Sequence, residues 1–204
     1  MSVFSKNTKR IVDLFFCIFC AIPVIILSLC IAIAIYKDHS GPIFFRHKRL
    51  GKYGKPISII KFRTMYYTRK NDNKYILSEN HLKEYENDYK IRRDPRITHL
   101  VAFLRKYSLD ELPQFINIFL GDMSLVGPRP IVSEEKEKYG NVFNEYCQVR
   151  PGLTGLWQVS GRNDISYEER VALDHYYITH WSLRLDFWIL LRTIPAVFSA
   201  KGAY

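Results

Sequence analysis

Two adjacent carboxylates, Asp110 and Glu111, lie between Ser108 and Pro113 in the segment SLDELPQ. Ser108 and Glu111 have the spacing of a capping box, so an ordinary helix start is one interpretation. Proline is tolerated where its missing N–H has no partner within the helix, which favours a helix that begins near Asp110 with Pro113 in its first turn. Free N–H groups at such a start bind phosphate. The two side chains would point about 100° apart, so they could also serve as a nucleophile and its neighbouring base or metal ligand.

Cationic side chains in two further segments could bind phosphate groups. In the segment GPRP, two prolines stiffen the backbone around Arg129, and a rigidly held guanidinium can bind two phosphate oxygens at once. In the segment KFRTM, Lys61 and Arg63 would share one face of an extended chain. The alternatives are a plain turn with a surface arginine and a solvated strand face.

A third segment, RPGLTGLWQVSGRND, carries three glycines and the two arginines Arg150 and Arg162. This composition suits a close approach to phosphates, although a structural loop explains it as well. The whole stretch from Gly127 to Asp164 is rich in Pro, Gly and polar residues, which is typical of binding loops around a pocket.

The elements that must position these residues are short. Residues 43–45 and 57–60 favour extended structure and flank a turn at 51–56, which predicts a small β-hairpin. Apolar spacing predicts helices from Thr98 to Lys106, from Phe115 to Leu120 and from Tyr167 to His180. Residues 68–93 are polar and mixed in charge, which indicates a surface loop or a solvated helix.

A long apolar run near the N-terminus could enter a membrane, because no charged residue occurs from Leu14 to Tyr36. Basic residues flank this run on both sides, and positive charge prefers the cytoplasmic face. A helix that enters the membrane, bends at Pro23 and leaves by the same face removes that conflict. A spanning helix with a tolerated proline kink is the alternative.

Charge and cysteine content restrict the partners and the compartment. Residues 1–69 hold 12 Lys and Arg against 2 Asp and Glu, whereas residues 70–204 hold 18 of each. The excess positive charge therefore flanks the apolar run, which favours an anionic membrane surface over nucleic acid. Three of the four cysteines lie within that run, and nothing suggests a disulfide framework.

Near the C-terminus, residues 181–198 are apolar with interspersed arginines, which suits either a helix in the membrane interface or a buried one.

Taken together and in this order, these segments resemble the monotopic polyprenyl-phosphate phosphoglycosyl transferases of the bacterial sugar transferase family. The similarity covers nearly the whole chain outside residues 68–93. It implies an α+β, predominantly helical, monotopic membrane protein with an N-terminal re-entrant helix, a small β-hairpin and interfacial amphipathic helices. Residues 1–40 would form the membrane helix with its basic flanks, and residues 41–204 a membrane-associated catalytic domain on the cytoplasmic face of the bacterial inner membrane.

The resemblance also implies a reaction and its residues. Asp110 would attack the β-phosphate of a UDP-sugar and form a covalent adduct, which polyprenyl (undecaprenyl) phosphate then displaces. Mg²⁺ would be required, with Asp110 near it and Glu111 as the second member of the dyad. Lys61 and Arg129 would bind phosphate, and Asp174 matches a further family acid. The wording SGRNDISYEERV and the ending GAY resemble the branch that transfers galactose-1-phosphate or glucose-1-phosphate at the start of surface polysaccharides, upstream of other glycosyltransferases.

Two rival classes use similar residues. A basic, membrane-anchored binding protein explains the charge and the apolar run, but it does not explain Asp110 and Glu111 beside Pro113 together with GPRP. A membrane-associated, metal-dependent phosphohydrolase would use the same groups with water as the acceptor. Release of UMP together with a lipid-linked product distinguishes a transferase from both.

Overall fold

The computed structural model describes residues 3–38, 41–65 and 98–199, and for residues 3–6 and Asn163 it describes the backbone alone. The predicted polar stretch at 68–93 lies outside these residues. One helix, α1 (Val3–Asp38), contains the whole apolar run with Pro23 inside it. By length and composition it could cross a membrane. Its two ends pack on the rest of the chain through Cys17 on one side and Ile31 and Ile35 on the other, whereas residues 18–30 have no buried side chain.

The predicted hairpin is confirmed. Strands β1 (Phe44–Leu50) and β2 (Pro56–Phe62) pair antiparallel, and a 3-10 turn at Lys52–Gly54 joins them. The turn requires positive φ at Tyr53 and Gly54. Strand β2 buries Ile59 on one face and Phe62 on the other, where they pack into two different hydrophobic clusters. Lys61 is half-buried on the face of Ile59.

Helix α2 (His99–Lys106) begins at the N-cap Thr98, whose side chain accepts a hydrogen bond from the Val101 N–H. After it, the chain forms a single 3-10 turn at Leu109–Glu111 before α3 (Gln114–Leu120) begins. The predicted capping box at Ser108 is wrong, because Ser108 adopts a left-handed conformation and caps nothing with its side chain. Pro113 is the N-cap of α3 rather than part of a helix that starts at Asp110.

The sequence did not predict a second, parallel sheet of two short strands, β3 (Ser124–Val126) and β4 (Gly152–Thr154). Its glycines serve backbone packing. A Cβ on Gly152 would lie 2.1 Å from the Gly127 nitrogen, and one on Gly155 would lie 2.4 Å from the Gly127 carbonyl oxygen. Glycine is therefore required at positions 152 and 155 by the close approach of the chain to Gly127.

Five helices complete the chain: α4 (Lys136–Tyr139), α5 (Phe143–Tyr146), α6 (Leu156–Ser160), α7 (Tyr167–Thr179) and α8 (Leu183–Ser199). A capping box of Ser166 and Glu169 begins α7. Together with α1 and the two small sheets, these helices give the predominantly helical α+β fold that the sequence predicts. The core lies where α1, α3, α7 and α8 meet β2, β3 and β4, around Ile59, Ile118, Met123 and Ile189.

Helix α8 is buried along one side only, and its placement in a membrane interface stays a prediction. Asp186 and Ile189 are buried, whereas its other side exposes a row of large apolar side chains. The exposed members of that row are Phe187, Trp188, Leu191, Ile194 and Phe198. Helix α3 adds exposed Ile116, Phe119 and Leu120. Contiguous exposed apolar surface of this kind marks contact with a membrane or a partner.

Candidate active site

The 3-10 turn after α2 brings the carboxylate pair beside β2. The Lys61 ammonium donates to a Glu111 carboxylate oxygen at 2.5 Å. The neighbouring Asp110 is 8% exposed and, among the residues that the structure describes, forms no ion pair. One carboxylate is therefore held by a cation, while the other keeps its charge available for chemistry.

Arg129 is presented much as the segment GPRP predicts. Pro128 and Pro130 are buried on either side of the half-buried arginine, and the Tyr146 hydroxyl donates to the Arg129 carbonyl at 3.1 Å. The Arg129 guanidinium lies 5.5 Å from the centre of the buried Trp157 ring, a cation–π contact that restricts its orientation.

The same ring carries a second guanidinium, because Arg170 lies 5.0 Å from the Trp157 centroid. Burial, and next the charge of Arg129, lower the pKa of Arg170 below its ordinary value. Trp157 thus serves as a platform for two like charges, which favours an anion between or beside them.

Glu111, Lys61 and Arg129 line one cleft of about 300 Å³. The cleft contains a cation that sequence reasoning missed, Arg49 on β1. Arg49 contacts Glu135 at 3.4 Å and the His47 ring at 3.3 Å. Arg49 pairs with Ile57 and so shares a face of the hairpin with Lys61, four residues further along β2. No motif around Arg49 marked it as functional.

Two glutamines add neutral polar groups to the cleft, Gln114 and Gln158. The Gln158 amide nitrogen donates to the Leu153 carbonyl at 3.1 Å, and its oxygen is buried without a partner in the described part of the chain. An unpartnered buried acceptor is costly, so a ligand donor such as a sugar hydroxyl would be favoured at this position.

The environment pushes the pKa values of the two carboxylates in opposite directions. Burial, with the charge of Glu111 next, raises the pKa of Asp110 to about 6. Burial alone would also raise the pKa of Glu111, but Lys61 and Arg129 outweigh it and lower that pKa. Titratable pairs with opposed shifts are characteristic of sites that assign different roles to two acids.

Asp174 lies behind this site rather than in its cleft. It is fully buried on α7, accepts a hydrogen bond from the Tyr139 hydroxyl at 2.7 Å, and sits close to the backbone of Arg129. Burial raises its pKa to about 7, opposed by the hydrogen bonds from Tyr139 and Arg129. The position suits an acid that supports the Arg129 turn rather than one that touches substrate.

The structure places the other arginines that were predicted to bind phosphate at different distances from the cleft. Arg162 lies beside the carboxylate pair, because its guanidinium is 3.4 Å from the Ser108 hydroxyl and its charge acts on Glu111. Arg63 is buried, where the charge of Asp38 acts on it, and it does not line the cleft. Lys61 and Arg63 therefore do not act on one face, since the strand ends at Phe62.

Arg150 is also remote from the cleft. It lines a different pocket, and its guanidinium donates to the Gly121 carbonyl at 2.7 Å, at the C-terminus of α3. The structure therefore does not bring Arg150 into the cleft with Lys61 and Arg129, and its binding of substrate phosphate stays a prediction.

Asn117 is a further residue that sequence reasoning missed. It is 1% exposed on α3, accepts from the Ile60 N–H at 3.0 Å and donates to the Ser58 carbonyl at 2.8 Å. These two bonds fasten α3 to the free edge of β2 next to Lys61. Only the pairing of the helix with the strand reveals this role.

The residues present fit a magnesium ion. In the described chain, no group of three or more His, Cys, Asp or Glu side chains could hold a metal ion alone. Mg²⁺, however, is commonly held by one or two carboxylates together with substrate phosphates. Asp110, a carboxylate without an ion-pair partner beside a cationic cleft, provides that kind of ligand.

Polar contacts fasten the start of α1 to the domain that carries this site. Lys9 forms a 2.6 Å ion pair with Asp186. Arg10 donates to the carbonyls of Ile118 and Phe119 at 2.6 and 2.8 Å. Further along α1, Ile31 and Ile35 pack against Phe62, Leu104 and their neighbours. Both ends of the apolar run thus contact the same domain.

The chain belongs to the bacterial sugar transferase family, whose model matches residues 4–200. This result confirms the resemblance to that family. An undecaprenyl-phosphate galactose phosphotransferase of Salmonella typhimurium is 42% identical over 98% of this chain and 43% of its own length. An exopolysaccharide production protein, ExoY, of Sinorhizobium fredii is 42% identical over 97% of this chain and 88% of its own.

A UDP-glucose:undecaprenyl-phosphate glucose-1-phosphate transferase of Escherichia coli is 39% identical over 86% of this chain. The chain spans 43% of the Salmonella relative and 37% of the Escherichia relative, less than half of each. The sugar and lipid substrates that these names specify therefore enter below as part of a proposal.

Proposed function

We propose that this protein transfers a hexose-1-phosphate from a UDP-sugar to undecaprenyl phosphate, as the first membrane step of surface polysaccharide synthesis. One observation carries the proposal: a buried Asp110, without an ion-pair partner in the described part of the chain, stands beside Glu111 and a cleft lined by Lys61, Arg129 and Arg49. Names of relatives that act with undecaprenyl phosphate support the acceptor, and galactose and glucose are the sugars those names contain.

The chemistry assigns a role to each side chain. A carboxylate oxygen of Asp110 attacks the β-phosphorus, the bond from that phosphorus to the bridging oxygen breaks, and UMP leaves with the oxygen. A phosphate oxygen of the lipid then attacks the same phosphorus and releases the Asp110 carboxylate. Arg129, Lys61 and Arg49 hold the diphosphate, with Arg162 near the dyad, because phosphoryl transfer depends on positioning and charge stabilisation. Mg²⁺, held by Asp110 and the diphosphate, would neutralise charge on the phosphates.

Membrane placement supports the same function. We propose that α1 enters and leaves the cytoplasmic leaflet, with Pro23 at its bend, and that α3 and α8 lie in the interface. The support is that Lys9 and Arg10 contact the same domain as Ile31 and Ile35, whereas the middle of α1 is apolar and exposed. The active-site cleft would then face the cytoplasmic donor and the lipid acceptor together.

The test is a panel of UDP-sugars with the purified protein, Mg²⁺ and undecaprenyl phosphate. The expected result is release of UMP with one sugar, together with a lipid-linked diphosphate sugar. Without acceptor, intact mass spectrometry should detect one hexose phosphate on the protein and none on Asp110→Asn. UMP release without lipid product would indicate a phosphohydrolase, and no release with any sugar would indicate a binding protein.

A further inference from the structure

A second pocket of about 450 Å³ opens beside the first turns of α1. Ser124 on β3 lines it, whereas Gly152 and Leu153 on β4 line the active-site cleft, so the two share no lining residue. We call it the α1 pocket, and its walls consist of Lys9, Asp13, Lys52, Ser124, Gln148, Val149, Arg150, Tyr177 and Trp181.

Two of its charged residues have partners within the protein. Lys9 is paired with Asp186 at 2.6 Å, and Asp186 also accepts from the Tyr177 hydroxyl at 2.7 Å and the Trp181 indole at 3.0 Å. Asp13 is 3% exposed and accepts from the Ser124 hydroxyl and the Leu125 N–H, each at 3.0 Å. Neither group requires a ligand.

Lys52 and Arg150 are different, because neither forms an ion pair within the described ranges of the chain. Lys52 lies 4.8 Å from the Tyr53 ring centre. Arg150 uses only its Nε–H, on the Gly121 carbonyl at 2.7 Å, which leaves its outer N–H groups for a ligand. The Tyr53 N–H donates to the Cys147 carbonyl at 2.6 Å and so holds the hairpin turn against the loop that carries Arg150.

The pocket stands at the boundary of the apolar surface. Lys9 and Asp13 form its wall from one side of α1, while Ile11 and Phe15 on another side of the same turns are 67% and 69% exposed. Phe187, near Trp181, is 64% exposed as well. If these exposed apolar side chains enter a membrane, the α1 pocket lies at the level of the lipid headgroups.

We propose that the α1 pocket binds the phosphate of an anionic phospholipid headgroup, through Arg150 and Lys52 with the Gln148 amide beside them. A guanidinium with two outer N–H groups and an ammonium suit a phosphodiester, and a zwitterionic lipid would bring its own cation against them. The inference rests on the membrane placement in the proposed function and not on the transfer chemistry.

The experiment measures lipid retention on the full chain by native mass spectrometry, from micelles with equal amounts of phosphatidylglycerol and phosphatidylcholine. Wild type should retain phosphatidylglycerol preferentially. Lys52→Gln with Arg150→Gln should lower its retention at least about tenfold, since each basic side chain contributes about 1 kcal/mol near an anionic lipid, and Lys52→Gln alone should lower it about fivefold. Lys55→Gln, an exposed lysine of the same turn, is the matched control and should retain lipid as wild type does.

Three results would overturn the proposal: equal retention of both lipids by wild type, unchanged retention by Lys52→Gln, or loss of retention in Lys55→Gln. Inorganic phosphate that displaces the lipid at the lipid's own concentration would overturn a lipid as the occupant. Melting temperatures establish that each variant is folded. Asp110→Asn should lose transfer and keep the lipid, which separates a failure of this site from a failure of the proposed function.

Discussion

At Asp110, burial opposes the negative charge that the proposed nucleophile needs. Asp110→Asn should abolish UMP release, because a carboxamide is a poor nucleophile and a poor ligand for a metal ion. It should also stabilise the protein at pH 8, by about 3 kcal/mol, since ionising a buried carboxyl whose pKa is raised to about 6 costs folding free energy. The measurement is UMP release together with thermal melting in detergent. Normal turnover would refute the assignment of the dyad.

The raised pKa of Asp110 determines how the stability of the protein and the rate of UMP release depend on pH. A raised pKa in the folded state means that the stability associated with protonated Asp110 is present at low pH and is lost as the pH rises through about 6. The melting advantage of Asp110→Asn should therefore shrink as the pH falls from 8 towards 5. A variant that melts below wild type at pH 8 would contradict the burial argument.

The rate of adduct formation should rise with pH, whereas the stability associated with protonated Asp110 is lost as the pH rises. The rate constant for UMP release without acceptor should fall as the pH falls through about 6, because only ionised Asp110 attacks. Glu111 has a lowered pKa and should stay ionised in this range. Single turnover without undecaprenyl phosphate excludes titration of the lipid phosphate itself. A rate that is flat from pH 5 to 8 would argue against Asp110 as the nucleophile.

A substitution at Arg129 distinguishes a requirement for the geometry of the guanidinium from a requirement for positive charge alone. Arg129→Lys should lower kcat/KM about 10- to 100-fold, because lysine keeps the charge but loses the fork for two phosphate oxygens and the contact with Trp157. Steady-state kinetics measure it, with Arg46→Lys, an exposed arginine on β1, as the control. Equal kinetics for both variants would make Arg129 a structural turn residue.

At the scale of elements, the site depends on how α3 meets β2. Asn117→Leu leaves the Ile60 N–H and the Ser58 carbonyl without their partner, which should cost about 2–4 kcal/mol. Because Lys61 adjoins Ile60, kcat should fall as well. Melting and kinetics are compared with Asn141→Leu, at an exposed position. Reduced stability with an unchanged kcat would show that Asn117 supports the fold without positioning Lys61.

The parallel pair β3 and β4 has a comparable role for Arg129. The strand β3 leads directly into the GPRP segment, and its partner approaches so closely that Gly127 and Gly152 leave no room for a Cβ. Tyr146 and Asp174 support the same turn from the other side. The position of one guanidinium thus results from four elements that are distant in sequence.

At the scale of the whole molecule, the question is on which side of the membrane α1 begins. Asn7→Cys and Glu137→Cys, both at exposed positions, should resist a membrane-impermeant thiol reagent in intact cells and react once the cells are opened. The background replaces the four native cysteines with alanine. The contacts of Lys9 and Arg10 with the domain underlie this expectation. Labelling at position 7 alone in intact cells would establish a spanning helix.

Pro23→Ala on the Asn7→Cys background tests the bend. Restoring a backbone donor in the middle of the apolar run should favour a straight helix, while Lys9, Arg10 and Asp13 hold the first turns to the domain. Mixed labelling is therefore expected rather than complete inversion. Labelling identical to that of the parent would show that the bend does not depend on Pro23.

The sequence by itself indicated the candidate residues and several of the local elements. Asp110, Glu111, Lys61 and Arg129 were identified from residue type and spacing, and the hairpin, the helices and the apolar run follow from local periodicity and turn residues. The resemblance to a family, which the family match confirms, added the reaction class.

The tertiary structure alone decided which of these residues meet. It brought Arg49 into the cleft, removed Arg150 to another pocket, and paired Lys61 with Glu111 rather than with Asp110. The physical reason is that a three-residue strand such as β3 has no detectable period of its own and forms only where a distant partner satisfies its backbone. The pKa of Asp110 likewise depends on burial by neighbours far along the chain.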